Sequence, residues 1–333
     1  MTDLTRDTVG HALVTGAGGF IGSHLTKSLI AASGEVTALD LNLSALHHLD
    51  SSPRCRMLEG SIEEPRTRLD ALSGVDTVFH LAAAHLGTLQ STDEFRRINV
   101  DATRSLAAES MQTGARRFVH CSSVGVYGRI ESPPADEESP CHPELPYEQT
   151  KLEGEKAIRR LVLERHLPAV ILRPAWVYGP DCHRTTKLFE TIGAGRFLVA
   201  GKGDSFRHCI FIDDMVTALI QAATERRALG ETLLIADAEP VTIRFLVDEI
   251  ARLTGSSPPK SIPFPLFSAL AAASEFAFKA MNRESPVSRR SLRFFTGNTA
   301  FSTDKAQQIM GLSPRYDVIR GLAETYRRLQ NEL

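Results

Sequence analysis

The chain has 333 residues, and its 38 Lys and Arg nearly balance 40 Asp and Glu, for a formal net charge of −2. That balance gives no overall electrostatic footprint for nucleic acid or an anionic membrane and favours a small-molecule ligand. Five scattered cysteines without metal-ligand spacing read as reduced thiols of a cytoplasmic protein, and an N-terminus with acids and no apolar core is not expected to be a signal or transit sequence.

Apolar runs of strand length come first in chain order: HALVTG (11–16), EVTALD (35–40), CRMLEG (55–60), TVFHLAA (77–83), RFVHCSS (117–123) and AVILRPAW (169–176). Segments of helical period separate them, as where Ile21, Leu25 and Leu29 recur every four residues. Continuous apolar strands alternating with helices predict an α/β fold, a doubly wound parallel sheet of Rossmann type covered on both faces.

The pattern then changes. A Gly-rich and basic segment (186–208) precedes a helix expected near Asp213, whose Asp213-Asp214 pair reads as its cap. A further strand, TLLIAD, spans 232–237, and Thr242 opens a helix that Gly255 stops. The uncharged run Ser261–Ser274 is too short to span a bilayer and reads as a buried or pocket-lining helix, with membrane-surface contact a minor alternative. The expected division is 1–175 for the dinucleotide-binding part, with 210–238 returning to it, and 176–209 plus 239–333 for a smaller substrate-binding lobe.

Between the first strand and its helix lie Gly16, Gly19 and Gly22 in a GxxGxxG spacing. Missing Cβ atoms let backbone N–H groups at a helix start approach a pyrophosphate. Asp40 ends the second strand 24 residues after Gly16, near the roughly 20 of the dinucleotide fingerprint. A carboxylate there accepts from ribose hydroxyls and repels a 2′-phosphate, so NAD is expected over NADP.

Tyr147 and Lys151 stand one turn apart on one helix face, downstream of the fifth strand's end at Ser122-Ser123. A phenol titrates near pH 10, and a neighbouring ammonium is expected to lower that value. No metal site is expected: His80, His85 and His120 lie at strand ends without ligand spacing and read as core or supporting residues. Cys141 and Cys182 carry no mark of a nucleophile. The Pro-rich acidic stretch 131–146 reads as a mobile loop at the substrate mouth.

Taken together, TGAGGFIG, Asp40, HLAAA (80–84), Asn99 in RINVDAT, CSSVGVYG, YEQTK, LRPAWVYGPD (172–181) and FIDDMVTAL (211–219) resemble the extended short-chain dehydrogenases/reductases, the NAD-dependent epimerase/dehydratase family. The resemblance covers nearly the whole chain. It implies that Tyr147 is the general acid/base, that Lys151 holds the nicotinamide ribose and lowers the Tyr147 pKa, and that Ser123, ahead of Ser122, holds the reacting oxygen. Gly16, Gly19, Phe20, Ile21 and Gly22 would surround the pyrophosphate, Asp40 the ribose, and Leu81, Ala82 and Ala83 the adenosine side. Ser61 and Ile62, Asn99, Pro174 and Val177 complete the implied cofactor contacts. Ser61 stands where many relatives have an Asp.

Val124-Gly125 lacks the acidic pair of the family's dehydratases, which leaves alcohol/ketone interconversion or 4-epimerisation. Trp176 replaces an Asn common in nucleotide-sugar enzymes and suits an apolar substrate, as in the 3β-hydroxysteroid dehydrogenase and dihydroflavonol reductase branch. Arg207 points the other way, to a phosphate, unless it makes a surface salt bridge. The leading expectation is an NAD-dependent oxidoreductase acting on a secondary hydroxyl or ketone of a mainly apolar substrate. The alternatives are a nucleotide-sugar 4-epimerase and a non-catalytic dinucleotide sensor. A homodimer is implied by resemblance.

Overall fold

The computed structural model describes residues 9–84, 91–280 and 289–331; His85 lies outside them. Seven strands form one parallel sheet: β1 (His11–Thr15), β2 (Glu35–Asp40), β3 (Cys55–Glu59), β4 (Thr77–His80), β5 (Arg117–Cys121), β6 (Ala169–Pro174) and, arriving late in the chain, Thr232–Ile235. From the edge at β3 inward the order is β3, β2, β1, β4, β5, β6 and then Thr232–Ile235, so the winding reverses beside β1. In such a sheet the crevice at the reversal, outside the strands' carboxyl ends, is where ligands sit.

Why these segments are strands is visible in their two faces. Val14, Phe79, Val119 and Val170 pack on one side with Leu25 and Leu29 of α1 (Phe20–Ala31). Their neighbours Leu13, Val78, Phe118 and Ile171 pack on the other with Ile158 and Leu161 of the helix Pro146–Arg165. A strand buried on both sides has no polar alternation, so its whole length reads apolar.

The run 169–176 does not stay in one strand. Pro174, which has no N–H, closes β6; Ala175 donates to Ile235 O (2.8 Å), and Trp176–Tyr178 forms a separate strand paired with Cys209–Phe211. Beyond it the Gly-rich segment holds more regular structure than its composition suggests. It contains the helix His183–Gly193 and short strands at Leu198–Ala200 and Phe206–Arg207, which pair with Lys260–Ile262 and Val241–Thr242.

The helix expected near Asp213 spans Ile212–Thr224, yet the Asp pair does not cap it. Asp214 is buried and accepts from the backbone N–H groups of Arg315 (3.0 Å) and Tyr316 (2.9 Å), while Asp213 accepts from Arg328 (2.9 Å). Both residues tie the C-terminal segment down. Thr242 does cap its helix, Oγ1 accepting from Phe245 N at 3.1 Å, and Gly255 ends it at φ +68°.

Two expectations need correction. The stretch 131–146 is pinned rather than loose: Glu137 accepts from Leu234 N (2.7 Å), Ala135 N donates to Ala300 O (2.9 Å) and His142 N donates to Tyr127 O (3.2 Å). Its carboxylate supplies the acceptor that an edge strand lacks. The apolar run at 261–274 leads into a helix, Phe264–Ala280, in which Phe267 and Ala271 are buried while Leu266, Leu270 and Phe276 are exposed.

Candidate active site

The glycine stretch is a crossing of backbones. Gly16 N and Ala17 N both donate to Leu39 O (2.9 and 3.3 Å), which folds the turn over the end of β2. Gly16 sits at φ +72°, and a Cβ there would lie 2.6 Å from Ala82 N. A Cβ on Gly22 would lie 2.0 Å from Gly16 O, so turn and helix touch through bare backbone. No side chain caps α1 at Gly19, which leaves the first-turn N–H groups of Phe20, Ile21 and Gly22 for an anion. The cradle fits the pyrophosphate of a dinucleotide.

Asp40 braces this cradle as well as facing it. Its Oδ2 accepts from Gly18 N at 2.9 Å and its Oδ1 from Asn42 N at 3.3 Å. A carboxylate offers about four acceptor positions, so capacity for ribose hydroxyls remains. Gly18, absent from the expected contacts, is fixed by this bond and by Asn42 O, which a Cβ would meet at 1.8 Å.

On the adenosine side, Leu81 N donates to Thr15 O (3.1 Å) and Ala82 N to Thr15 Oγ1 (3.3 Å), holding the half-buried Leu81–Ala83 beside Gly16. Ser61 Oγ accepts from Glu63 N at 3.1 Å, and Ile62 is buried in the core layer. Asn99 lies in a wide π turn of the helical segment 92–112. Its amide is used at both ends within the protein, accepting from Ala84 N (2.8 Å) and donating to Thr150 Oγ1 (3.0 Å). It therefore links the β4 exit to the helix bearing Tyr147 and Lys151.

That helix, Pro146–Arg165, starts with Pro at its first position while the Glu148 carboxylate folds back to accept from Leu145 N at 3.0 Å. Tyr147 and Lys151 point from its first turns toward the end of β5. Ser123 Oγ accepts from Gly125 N (3.0 Å) and is hydrogen-bonded with the Tyr147 phenol. Ser122 faces away, donating to Glu155 Oε1 at 2.5 Å. Lys151 is buried, and its Nζ donates to Cys121 O at 2.7 Å. Burial lowers its pKa from the ordinary lysine value.

The Tyr147 pKa moves opposite to expectation. Burial pushes the phenol up to about 12, and the nearby Cys121 adds to the rise, while Arg184 and the Ser123 hydrogen bond pull weakly the other way. Lys151 is spent on the Cys121 carbonyl rather than on the phenol.

Beneath the pair lies an ion pair that sequence reasoning missed. Glu155, fully buried, accepts from Arg173 Nε (3.0 Å) and Nη2 (2.7 Å), and Arg173 Nη1 donates to Tyr127 OH (2.7 Å). The signals were an Arg inside the apolar run AVILRPAW and a Glu one turn past Lys151. Nearby, His80 bridges Thr15 Oγ1 and Thr103 Oγ1 (both 2.8 Å), and burial drops it to about 3. His120 stacks on it at 5.4 Å, buried and held neutral by desolvation, so neither ring is a cation at neutral pH.

Two residues beyond β6, as Ser123 is two beyond β5, stands Trp176. It packs against Tyr178 (ring centroids 6.0 Å) and edge-on against Phe294 (6.4 Å). Arg207 lies over the other part of this wall, its guanidinium carbon 4.9 Å from the Phe294 ring centre and its Nη2 donating to Phe294 O at 2.7 Å. It makes no salt bridge among the described residues, and its buried Nε has no hydrogen-bond partner. Burial lowers its pKa. Val177 is half-buried and Pro174 buried in the same region. Among the described residues no three His, Cys, Asp or Glu side chains gather as metal ligands, and all five cysteines are unpaired.

Residues 12–236 match the NAD dependent epimerase/dehydratase family. The chain belongs to that family. It is an enzyme of the NAD-dependent epimerases, dehydratases and reductases, with NAD as its cofactor. Among similar proteins, 3-beta-hydroxysteroid dehydrogenase of Mycolicibacterium neoaurum is 27% identical over 96% of this chain and 91% of that one. N-acetyl-alpha-D-glucosaminyl-diphospho-ditrans,octacis-undecaprenol 4-epimerase of Escherichia coli O157:H7 is 26% identical over 95% of this chain and 94% of that one. The structure of MoeE5 in complex with UDP-glucuronic acid and NAD superposes with a TM-score of 0.76 at 27% identity, covering 97% of this chain and all of that one.

Proposed function

We propose that the protein is an NAD-dependent oxidoreductase transferring a hydride between nicotinamide and a secondary hydroxyl or ketone of a small, mainly apolar substrate. The observation that carries this reading is the half-buried aromatic pair Trp176 and Phe294, backed by the buried Tyr178, which offers area and shape rather than hydrogen bonds to a substrate. A relative of nearly full coverage that is named a 3-beta-hydroxysteroid dehydrogenase supports it.

When bound, NAD supplies the ring that gives or takes the hydride. Tyr147, kept protonated by burial, gives its proton to a carbonyl oxygen. Ser123 holds that oxygen in line through its hydroxyl. Lys151, anchored on the Cys121 carbonyl, keeps an ammonium one turn below the phenol. A protonated phenol is the form that the ketone-reducing step uses, and a phenolate the form that the reverse step uses.

One observation favours a second reading, a nucleotide-sugar 4-epimerase: the Arg207 side chain is half-buried, has no carboxylate partner among the described residues, and leaves its buried Nε donor unused. A diphosphate would satisfy it. Purified protein incubated with NAD or NADH and a panel of sterols, 3-oxo lipids and UDP-sugars separates the two. Net NADH change with the apolar compounds supports the oxidoreductase, and sugar epimerisation without net NADH overturns it. On the same reading the enzyme works in the cytoplasm as a homodimer, and a monomeric mass in solution refutes the latter.

A further inference from the structure

Ser123 lies between the end of β5 and a single 3₁₀ turn, Val124–Tyr127, which Gly128 closes at φ +62°. One buried ion pair grips this turn from both ends. Upstream, Ser122 N donates to Leu172 O (2.7 Å), and Ser122 Oγ donates to Glu155 Oε1 (2.5 Å). Downstream, Tyr127 OH accepts from Arg173 Nη1 (2.7 Å), and the guanidinium carbon lies 4.9 Å from the centre of the Tyr127 ring. Arg173 closes the circuit through its Nε and Nη2 bonds to Glu155, at 3.0 and 2.7 Å. Glu155, Arg173 and Tyr127 are all buried.

The same pair refers the turn to the rest of the site. Glu155 stands one helical turn beyond Lys151 and two beyond Tyr147 on the helix Pro146–Arg165, while Arg173 lies in β6 just before Pro174. We infer that Ser122, Tyr127 and the Glu155–Arg173 pair are positioning residues that set the Ser123 hydroxyl against the Tyr147 phenol.

Energetics favour this role over a purely stabilising one. Desolvation offsets most of the attraction in a buried ion pair, which adds little net stability over well-packed apolar side chains of the same volume. What a planar guanidinium and a two-oxygen carboxylate add is direction. Packing against Ala175 and Phe301 keeps Val126 and the Tyr127 ring in their layer but leaves them free to slide. A hydroxyl aimed at a reacting oxygen must hold its place to about 0.5 Å, which the two charge-assisted grips provide.

The role rests on the proposed Ser123 and Tyr147 chemistry, so the test includes a readout that needs no substrate. Ser123 is hydrogen-bonded with the Tyr147 phenol, and a displaced turn therefore registers at Tyr147. With 13C at the tyrosine Cζ the full chain has five labelled positions, and Tyr147→Phe identifies the Tyr147 resonance. Tyr127→Phe and Ser122→Ala each delete one grip and leave the ion pair intact. Each is expected to move the Tyr147 resonance toward its position in Ser123→Ala, with NAD affinity within about twofold of the parent. With whichever compound of the substrate panel is turned over, kcat should fall roughly tenfold while KM stays within about twofold. In the Ser123→Ala background, Tyr127→Phe should move the resonance no further and cost no further rate, the mark of a residue that acts through Ser123. Should Tyr127→Phe fail to fold, Ser122→Ala serves in the same cycle. A Tyr147 resonance unmoved in both single variants, or a loss that adds in full to that of Ser123→Ala, overturns the inference. A resonance that moves in an enzyme turning over only UDP-sugars keeps the positioning role and overturns the apolar-substrate reading.

Discussion

The Lys151 ammonium donates to the Cys121 carbonyl at 2.7 Å, locking the helix that carries Tyr147 to the strand that ends in Ser123. The cation is therefore a clamp as well as a charge. Lys151→Met should lower kcat by about two orders of magnitude or more and also loosen Tyr147, broadening its ring resonances in NMR. Tyr147→Phe should lose turnover to the same degree while NAD affinity, measured by calorimetry, stays within about twofold.

The phenol's elevated pKa, about 12, predicts opposite pH profiles for the two directions. Reduction uses the protonated form and should stay flat through neutral pH. Oxidation uses the phenolate, so its kcat/KM should climb with pH, by up to about tenfold per unit below that pKa. Initial rates in both directions across roughly pH 6 to 10 check this. A flat oxidation profile would show that the bound state has a much lower phenol pKa.

Glu155→Ala would strand the Arg173 guanidinium in the core without its bidentate partner. Breaking a buried pair from one side costs about 3–5 kcal/mol, so denaturant unfolding should show a loss of that order. Glu155→Gln keeps shape and one acceptor, and should recover part of it.

Asp237, buried just past the strand Thr232–Ile235, has neither carboxyl oxygen in a well-formed hydrogen bond. Burial, then the Asp214 carboxylate, raises it to about 8. Its folded-state value is above the unfolded one, so its contribution to stability is complete below about pH 4 and is lost as pH rises through about 8, by up to about 1.4 kcal/mol per unit. Asp237→Asn should flatten that decline: Tm changes little near pH 5 and rises above the parent's near pH 8, as calorimetric scans at both values would show.

Gly22→Ala would drive a methyl against Gly16 O, 2.0 Å from the ideal Cβ position. The turn must open to admit it. NAD affinity is expected to fall by more than about tenfold, with the loss seen in titration of the purified protein.

Strand positions were legible because a sheet buried on both faces needs uninterrupted apolar runs, and β1 to β6 begin where the expected runs begin. The glycine spacing and Tyr147-Lys151 were legible because close backbone approach and one-turn spacing leave local marks. What was not legible depends on contacts far apart in sequence. Short strands such as Leu198–Ala200 exist only through partners some 60 residues away, and Glu155–Arg173 needed the fold to bring a helix over a strand. The acidic loop reads as loose until Leu234 N offers its carboxylate a donor.

The backbone leaves the central sheet at Pro174-Ala175 and enters the small sheet at Trp176, within three residues. On the proposed reading, Trp176 thus stands in a different sheet from the β5 end that leads to Ser123. Exchanging the indole for a smaller or more polar group is expected to change which molecules fit while Ser123, Tyr147 and Lys151, held by a different strand and helix, keep their places.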